Sequence, residues 1–344
     1  MILAAVVLAV QSVASPSPSP SAALDAIIAE VWESRLREDP LLATAVGDRR
    51  FDDRLPSMAW IDVDRRNSYN LAILQRLMAV DRAGLSPADR INRDMLDREL
   101  RDAIADHRFG GWRMPWNADS GFHTALAQMP SQVPLATARD YDNYVARLRA
   151  MPEYMRQQIH LLRDGLTSGF VLPRAVLEGF DGTIRAHVVD DPAASVFYAP
   201  FPRIPAGVSA KDRARLREAG LAAVREAAIP AYRELLDFYL REYLPAARPT
   251  TSAADLPRGR EYYAWRVRSF TTLEVTPDEV HQTGLAEVAR IRAEMEGIGE
   301  RHEVGGRRKP ERLAIAHLAG EPDGAGRAAE IAAGEGDDLS PGFA

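Results

Sequence analysis

Few side chains in this sequence combine the type and the spacing that catalysis needs. Seven histidines are scattered as His107, His123, His160, His187, His281, His302 and His317. No two of them stand four residues apart, the spacing by which one helix face offers two imidazoles to zinc. His302-Glu303 opens the zinc-helix pattern H-E-x-x-H, but Gly306 stands where the second histidine belongs. Cysteine is absent, which excludes thiol nucleophiles, disulfides and thiolate metal sites. There is no Gly-rich phosphate loop and no G-x-S-x-G nucleophile elbow. The acidic pairs Asp52-Asp53 and Asp190-Asp191 are common in loops and weak as acid–base signals. Trp112, Trp116 and His123 sit in an irregular stretch and could line a cleft, although such aromatics more often pin a loop to a core. Tyr262, Tyr263 and Trp265 with Arg266 could form a substrate surface, but their helical spacing reads as core. His281, beside Val280 at the edge of an apolar stripe, reads as a partly buried structural histidine. The residues alone assign no catalytic, cofactor-binding or metal residue. A site could still assemble from distant positions, for example His123 and His281 with a carboxylate.

The elements that would position these groups read as helices. The clearest pattern lies in the stretch from Arg258 to Gly299. Thr276, Pro277 and Glu279 make a capping box with a proline start. Behind them Val280, Val288, Ile291, Met295 and Ile298 recur at helical spacing, opposite Glu287, Arg290, Arg292, Glu294 and Glu296. Upstream, Ala26, Ile27, Val31 and Trp32 give an apolar stripe that ends near Glu38. Asp39-Pro40 starts a short helix that Gly47 stops, and a charged loop runs from Asp48 to Pro56. Further helices are expected from Ser57 to about Ala83 and from Ser86-Pro87 through Arg108. Phe109 to Pro134 reads as irregular. Thr137 with Asp140 opens a helix to Ala150, Pro152 opens another to about Ser168, and Pro173 a third to about His187. Asp190 to Val208 is a loop. Ser209 begins a long helix that Pro230 kinks and Tyr243-Leu244-Pro245 ends. Lys211, Arg213, Arg215 and Arg217 read as its solvated face. No useful strand alternation appears, so the fold class is all-α, a multi-helix array.

Composition narrows the classes further. A chain of 344 residues can bury a full core. A net charge of −6, with no basic run interleaved with aromatics, argues against nucleic acid as a partner. Ile2 to Val13 is too short an apolar run to span a bilayer. With the small residues after it and the Pro/Ser spacer it reads as a signal peptide, residues 1–22, although no Lys or Arg precedes it. The expected location is outside the cytoplasm, in the periplasm or cell envelope, with no integral membrane segment after signal removal. A disordered apolar N-terminus on a cytoplasmic protein is the alternative. Residues 23–303 form the helical domain, and 304–344 a low-complexity tail of Ala, Gly, Glu and Asp.

Four colinear segments carry a family resemblance. They are LREDPLLATAVGDRRFDDRLP (Leu36 to Pro56), DYDNYVARLRAMPEYMRQQIHLLRDGL (Asp140 to Leu166), PAYRELLDFYLREYLPAAR (Pro230 to Arg248) and YYAWRVRSFTTLEVTPDEVHQTGLAEVARIRAEME (Tyr262 to Glu296). Over about Leu24 to Glu296 the chain resembles the bacterial domain-of-unknown-function 885 family, whose members are similar to helical zinc metallopeptidases. That resemblance implies an exported hydrolase acting on peptides, with zinc held by H-E-x-x-P-G-H-H and a downstream E-G-W segment. No position here matches either motif. The expectation is therefore a truncated member lacking the catalytic half, with no cofactor in this chain and zinc only in the intact protein. A stand-alone helical binding or scaffold protein is the alternative. Arg-rich, Lys-poor, Ala-rich text suggests a GC-rich gene, and a frameshift near Val304 would account for the tail. A genuine disordered tail is the other account. Helix faces left without partners imply self-association.

Overall fold

Short polar side chains placed just before prolines decide where several helices begin. The computed structural model describes residues 19–301, with side chains to residue 297. Ser19 accepts from the Ala22 N–H and Pro20 opens α1, Pro20–Glu38. Asp39 accepts from the N–H groups of Leu41 and Leu42 and Pro40 opens α2, Pro40–Ala45. α3 spans Trp60–Met78. Ser86 caps α4, Pro87–Phe109, which ends at Gly110 in the left-handed region, φ 82°. The secondary structure is helical, with no strand among the described residues. All-α is thus the observed class.

Prolines and glycines account for most departures from the sequence reading. Pro152 does not open a helix; it lies inside α6, Ala138–Ser168, a single helix of 31 residues. An interior proline costs about 3 kcal/mol in a helix. Here Leu148, Met151, Tyr154, Met155, Ile159 and Leu162 are all buried around it. Each such side chain contributes about 1.5–3 kcal/mol on burial, enough together to hold the helix through the proline. In the stretch expected to be irregular, Phe122–Gln132 forms α5. Gly121 donates its N–H to Thr124 Oγ1, and that hydroxyl returns a bond to the Gly121 carbonyl. The helix expected from Pro173 to His187 shrinks to a 3₁₀ turn at Arg174–Val176 and α7, Asp181–Arg185. Gly179, at φ 76°, interrupts it. The long helix after Ser209 is α8, Ala210–Ala223, then a π turn, then α9, Ile229–Phe238, then a second π turn over Tyr239–Tyr243. The first π turn ends just ahead of Pro230, where the extra residue absorbs the missing N–H.

Helix α6 is the axis of the main core. Tyr141, Tyr144, Leu148, Met151 and Met155 from α6 pack in one cluster with Tyr232 and Leu235 of α9 and with Phe180, Phe197 and Phe201 from the loops. A smaller cluster joins Leu24, Ile27 and Val31 of α1 to Ile73 and Leu77 of α3 and Leu96 and Leu100 of α4. α10, Gly259–Thr271, is flanked by Arg258 and Thr272, both left-handed at φ 55° and 63°. Arg98 donates to the carbonyls of Arg268 and Ser269 at 3.0 Å, satisfying the open end of α10.

A second unit begins at Asp278. Its described part is all but the first residue of α11, Pro277–Arg301, which starts at the proline the capping pattern marks. Residues 278–296 are all exposed, including Val280, Leu285, Val288, Ile291 and Met295. The signal-like segment and the tail from Val304 lie outside the described residues.

Candidate functional site

His123, on the first turn of α5, is fully buried. Its Nε2 lies 2.8 Å from Thr183 Oγ1, and that hydroxyl donates its own hydrogen to the Phe180 carbonyl at 2.7 Å. A threonine has one hydroxyl hydrogen, so His123 must carry its proton on Nε2 and donate to Thr183. Nδ1 is left as a bare lone pair, buried and without a partner. The Tyr232 hydroxyl donates to the His123 carbonyl at 2.5 Å. Trp116 and Phe180 close around the ring, both edge-on. Burial, with His187 nearby, pushes the imidazole down to about 4. Such a histidine is a neutral core group.

An open cleft lies where the start of α3, the turn after α4 and the last third of α6 meet. Its lining is Trp60, Trp112, Arg113, His160, Leu161 and Asp164, around a volume of about 270 Å³. Trp60 is 45% exposed. It is backed by His107, stacked at 6.0 Å, and by Trp112 at 4.8 Å. His107 Nε2 lies 3.6 Å from Asp64 Oδ1. Arg113 holds its guanidinium 4.2 Å above the Trp112 ring and donates from Nε to Asp164 at 2.7 Å. Two glycines make this possible. A Cβ on Gly110 would stand 2.1 Å from Arg113 Nη1, and one on Gly111 would stand 2.0 Å from Asp106 Oδ1. Burial raises the Asp106 carboxyl above its ordinary value. The side chains of this cleft are therefore fixed by packing before any ligand arrives.

His281 is exposed on α11, which corrects its reading as a partly buried group: the stripe it borders is itself uncovered. His302 and His317 lie outside the described residues. Trp116 does pin its loop, packing on Phe122, Phe180, Tyr239 and Tyr243. Tyr262 and Trp265 pack on Phe109 as core, while Tyr263 is 49% exposed. Asp52 is buried and accepts from Thr44 and Arg49. Asp191 caps a turn by accepting from the Ala193 N–H. The basic residues at the start of α8 are not merely solvated: Arg213 donates to the Ala206 and Val208 carbonyls, Arg215 to Asp142, and Arg217 to the Phe201 carbonyl. Among the described residues no three His, Cys, Asp or Glu side chains stand together as a metal site. The zinc implied by the family resemblance therefore finds no fitting donor set among the described residues.

Sequence reasoning missed the role of Arg147. It is wholly buried on α6 and donates to the carbonyls of Pro40, Phe51 and Arg54 and to Thr44 Oγ1. Beside it Arg49 joins Asp52 and the α6 capping residue Asp140. The segment from Pro40 to Arg54 is thus wrapped around one guanidinium. The legible signal was position: Arg147 follows Tyr144 by three residues on the apolar face of α6.

The sequence profile of a family described as "Bacterial protein of unknown function (DUF885)" matches residues 40–333. The matched span runs beyond Glu303 into the segment that composition sets apart. A crystal structure described as that of "the putative lipoprotein from Colwellia psychrerythraea" is similar, with a TM-score of 0.72 at 17% identity, over 83% of this chain and 52% of that one. The chain spans about half the length of that protein, and at this identity the likeness concerns the fold. No curated protein matches the chain. No helix among the described residues is long and apolar enough to cross a membrane.

Proposed function

Because the chain belongs to the bacterial DUF885 family, we propose that it forms the helical wall of a cleft in an exported, zinc-dependent peptidase-like protein. In this reading the metal ligands are carried by family sequence outside residues 19–301, and the wall alone does not hydrolyse peptides. The family's resemblance to helical zinc metallopeptidases supplies the chemistry. The observation that carries the reading is the apolar stripe of α11. Val280, Ile291, Met295, Val288 and Leu285 are exposed, and at 3.6 residues per turn they fan over an arc of roughly 140°. A two-stranded coiled coil uses a narrower seam. An arc this wide suits a broad layer of further helices, as the half of the fold outside this chain would provide. Most helical stability in proteins comes from packing of an amphipathic face, so a covering layer is also what α11 would gain stability from.

The test joins metal content to turnover. The purified chain is expected to hold no stoichiometric zinc by mass spectrometry and to show no chelator-sensitive cleavage of a peptide library. A longer form that contains H-E-x-x-P-G-H-H is expected to gain both together. One equivalent of zinc with chelator-sensitive cleavage by the chain as given would overturn the reading. A binding role without catalysis is favoured by one separate observation, the preformed aromatic cleft at Trp60.

A further inference from the structure

We propose that the cleft formed by Trp60, Trp112, Arg113, His160, Leu161 and Asp164 binds a neutral saccharide. The proposal does not depend on the peptidase reading, because it concerns binding at side chains that are all present. Its first support is shape. The cleft is open and about 270 Å³, small enough for one sugar ring or two and open enough to admit a longer chain end. Its second support is the half-exposed indole of Trp60 at the mouth. His107 and Trp112 hold that ring from behind, so its free surface is a fixed apolar plate with little side-chain entropy left to lose on binding. A pyranose presents a face of C–H groups that suits such a plate.

The third support is the character of the polar lining. Arg113 and Asp164 are planar groups locked to each other at 2.7 Å. A guanidinium so held keeps further N–H donors, and a carboxylate keeps further lone pairs. Vicinal hydroxyls, each both donor and acceptor, match that pairing. Charge selects against the other ligand classes. The one guanidinium and the one carboxylate in the lining neutralise each other, so neither an anion nor a cation meets an uncompensated charge. A cation would also find the Trp112 face taken, since Arg113 already lies over it at 4.2 Å.

Calorimetric titration of the full chain tests this, with chitotriose, cellotriose and maltotriose as neutral probes, benzyltrimethylammonium as a cation and inorganic phosphate as an anion. At least one neutral trisaccharide is expected to bind one to one, with a Kd of about 0.1–10 mM, as suits an open site. Trp60→Ala is expected to weaken it at least about tenfold with the melting temperature held. Trp32→Ala, at an exposed tryptophan on α1, is expected to leave the affinity unchanged. Should Trp60→Ala fold poorly, Asp164→Asn, at a side chain 44% exposed, is expected to weaken the same saccharide. Absence of binding by all three saccharides, tighter binding of the ammonium or phosphate probe, or affinity untouched by both cleft variants would overturn the proposal.

Discussion

Acid should destabilise this protein through His123 in particular. The ring is buried with Nε2–H committed to Thr183 and Nδ1 facing no partner. Protonation would place a second N–H, and a positive charge, where no acceptor waits. The folded-state value near 4 lies well below the ordinary 6.5 of an unfolded histidine. Between those values the unfolded chain binds a proton and the folded chain does not, so stability rises with pH across the window. It is fully present above about pH 6.5 and lost as pH falls towards 4. A shift of about 2.5 units at 1.36 kcal/mol each gives about 3 kcal/mol lost by pH 4, an order-of-magnitude figure. His187, also depressed by burial, adds in the same direction. The assay is urea unfolding at several pH values from 7.5 to 4.5, on the wild type and on His123→Gln, which cannot titrate. The variant should be less stable than the wild type at pH 7.5, and the gap should narrow as pH falls. A gap that stays constant across that range would refute the assignment of a buried, neutral His123.

Two further perturbations follow from the same packing. Arg147→Met should cost about 3–5 kcal/mol, because it strands one buried and two part-buried carbonyls and Thr44 that now accept from one guanidinium; denaturant midpoints check this, and a loss under 1 kcal/mol would contradict the role given to it. The exposed α11 stripe should drive self-association of the chain as given, so the double variant Val288→Asp with Ile291→Asp should shift light-scattering mass towards monomer, whereas a wild type that is already a monodisperse monomer counts against an uncovered face.

What the sequence could and could not tell follows from the range of the interactions. Caps are local: Thr137, Ser86 and Asp39 bond to N–H groups two or three residues on, so each helix start they mark was readable from a few letters. Proline is local in type but not in consequence. Pro152 looks like a helix start until the core around α6 is known, and only that core decides that the helix runs through it. The cleft at Trp60 is less legible still. Its walls come from positions 60, 112 and 164, and nothing short-range links them except the pair Gly110-Gly111, which reads as a turn. Those glycines exist in part to leave room for Arg113 and Asp106, a reason visible only in three dimensions. The same logic governs Arg147, whose partners lie 93 to 107 residues away. A charged residue on the apolar face of a helix is where sequence reasoning should expect a long-range partner. In this chain that expectation leads to the segment from Pro40 to Arg54, most of the first block of text by which the family is recognised. That block is therefore held together by a structural contact, and its presence in a sequence marks the fold and not the chemistry.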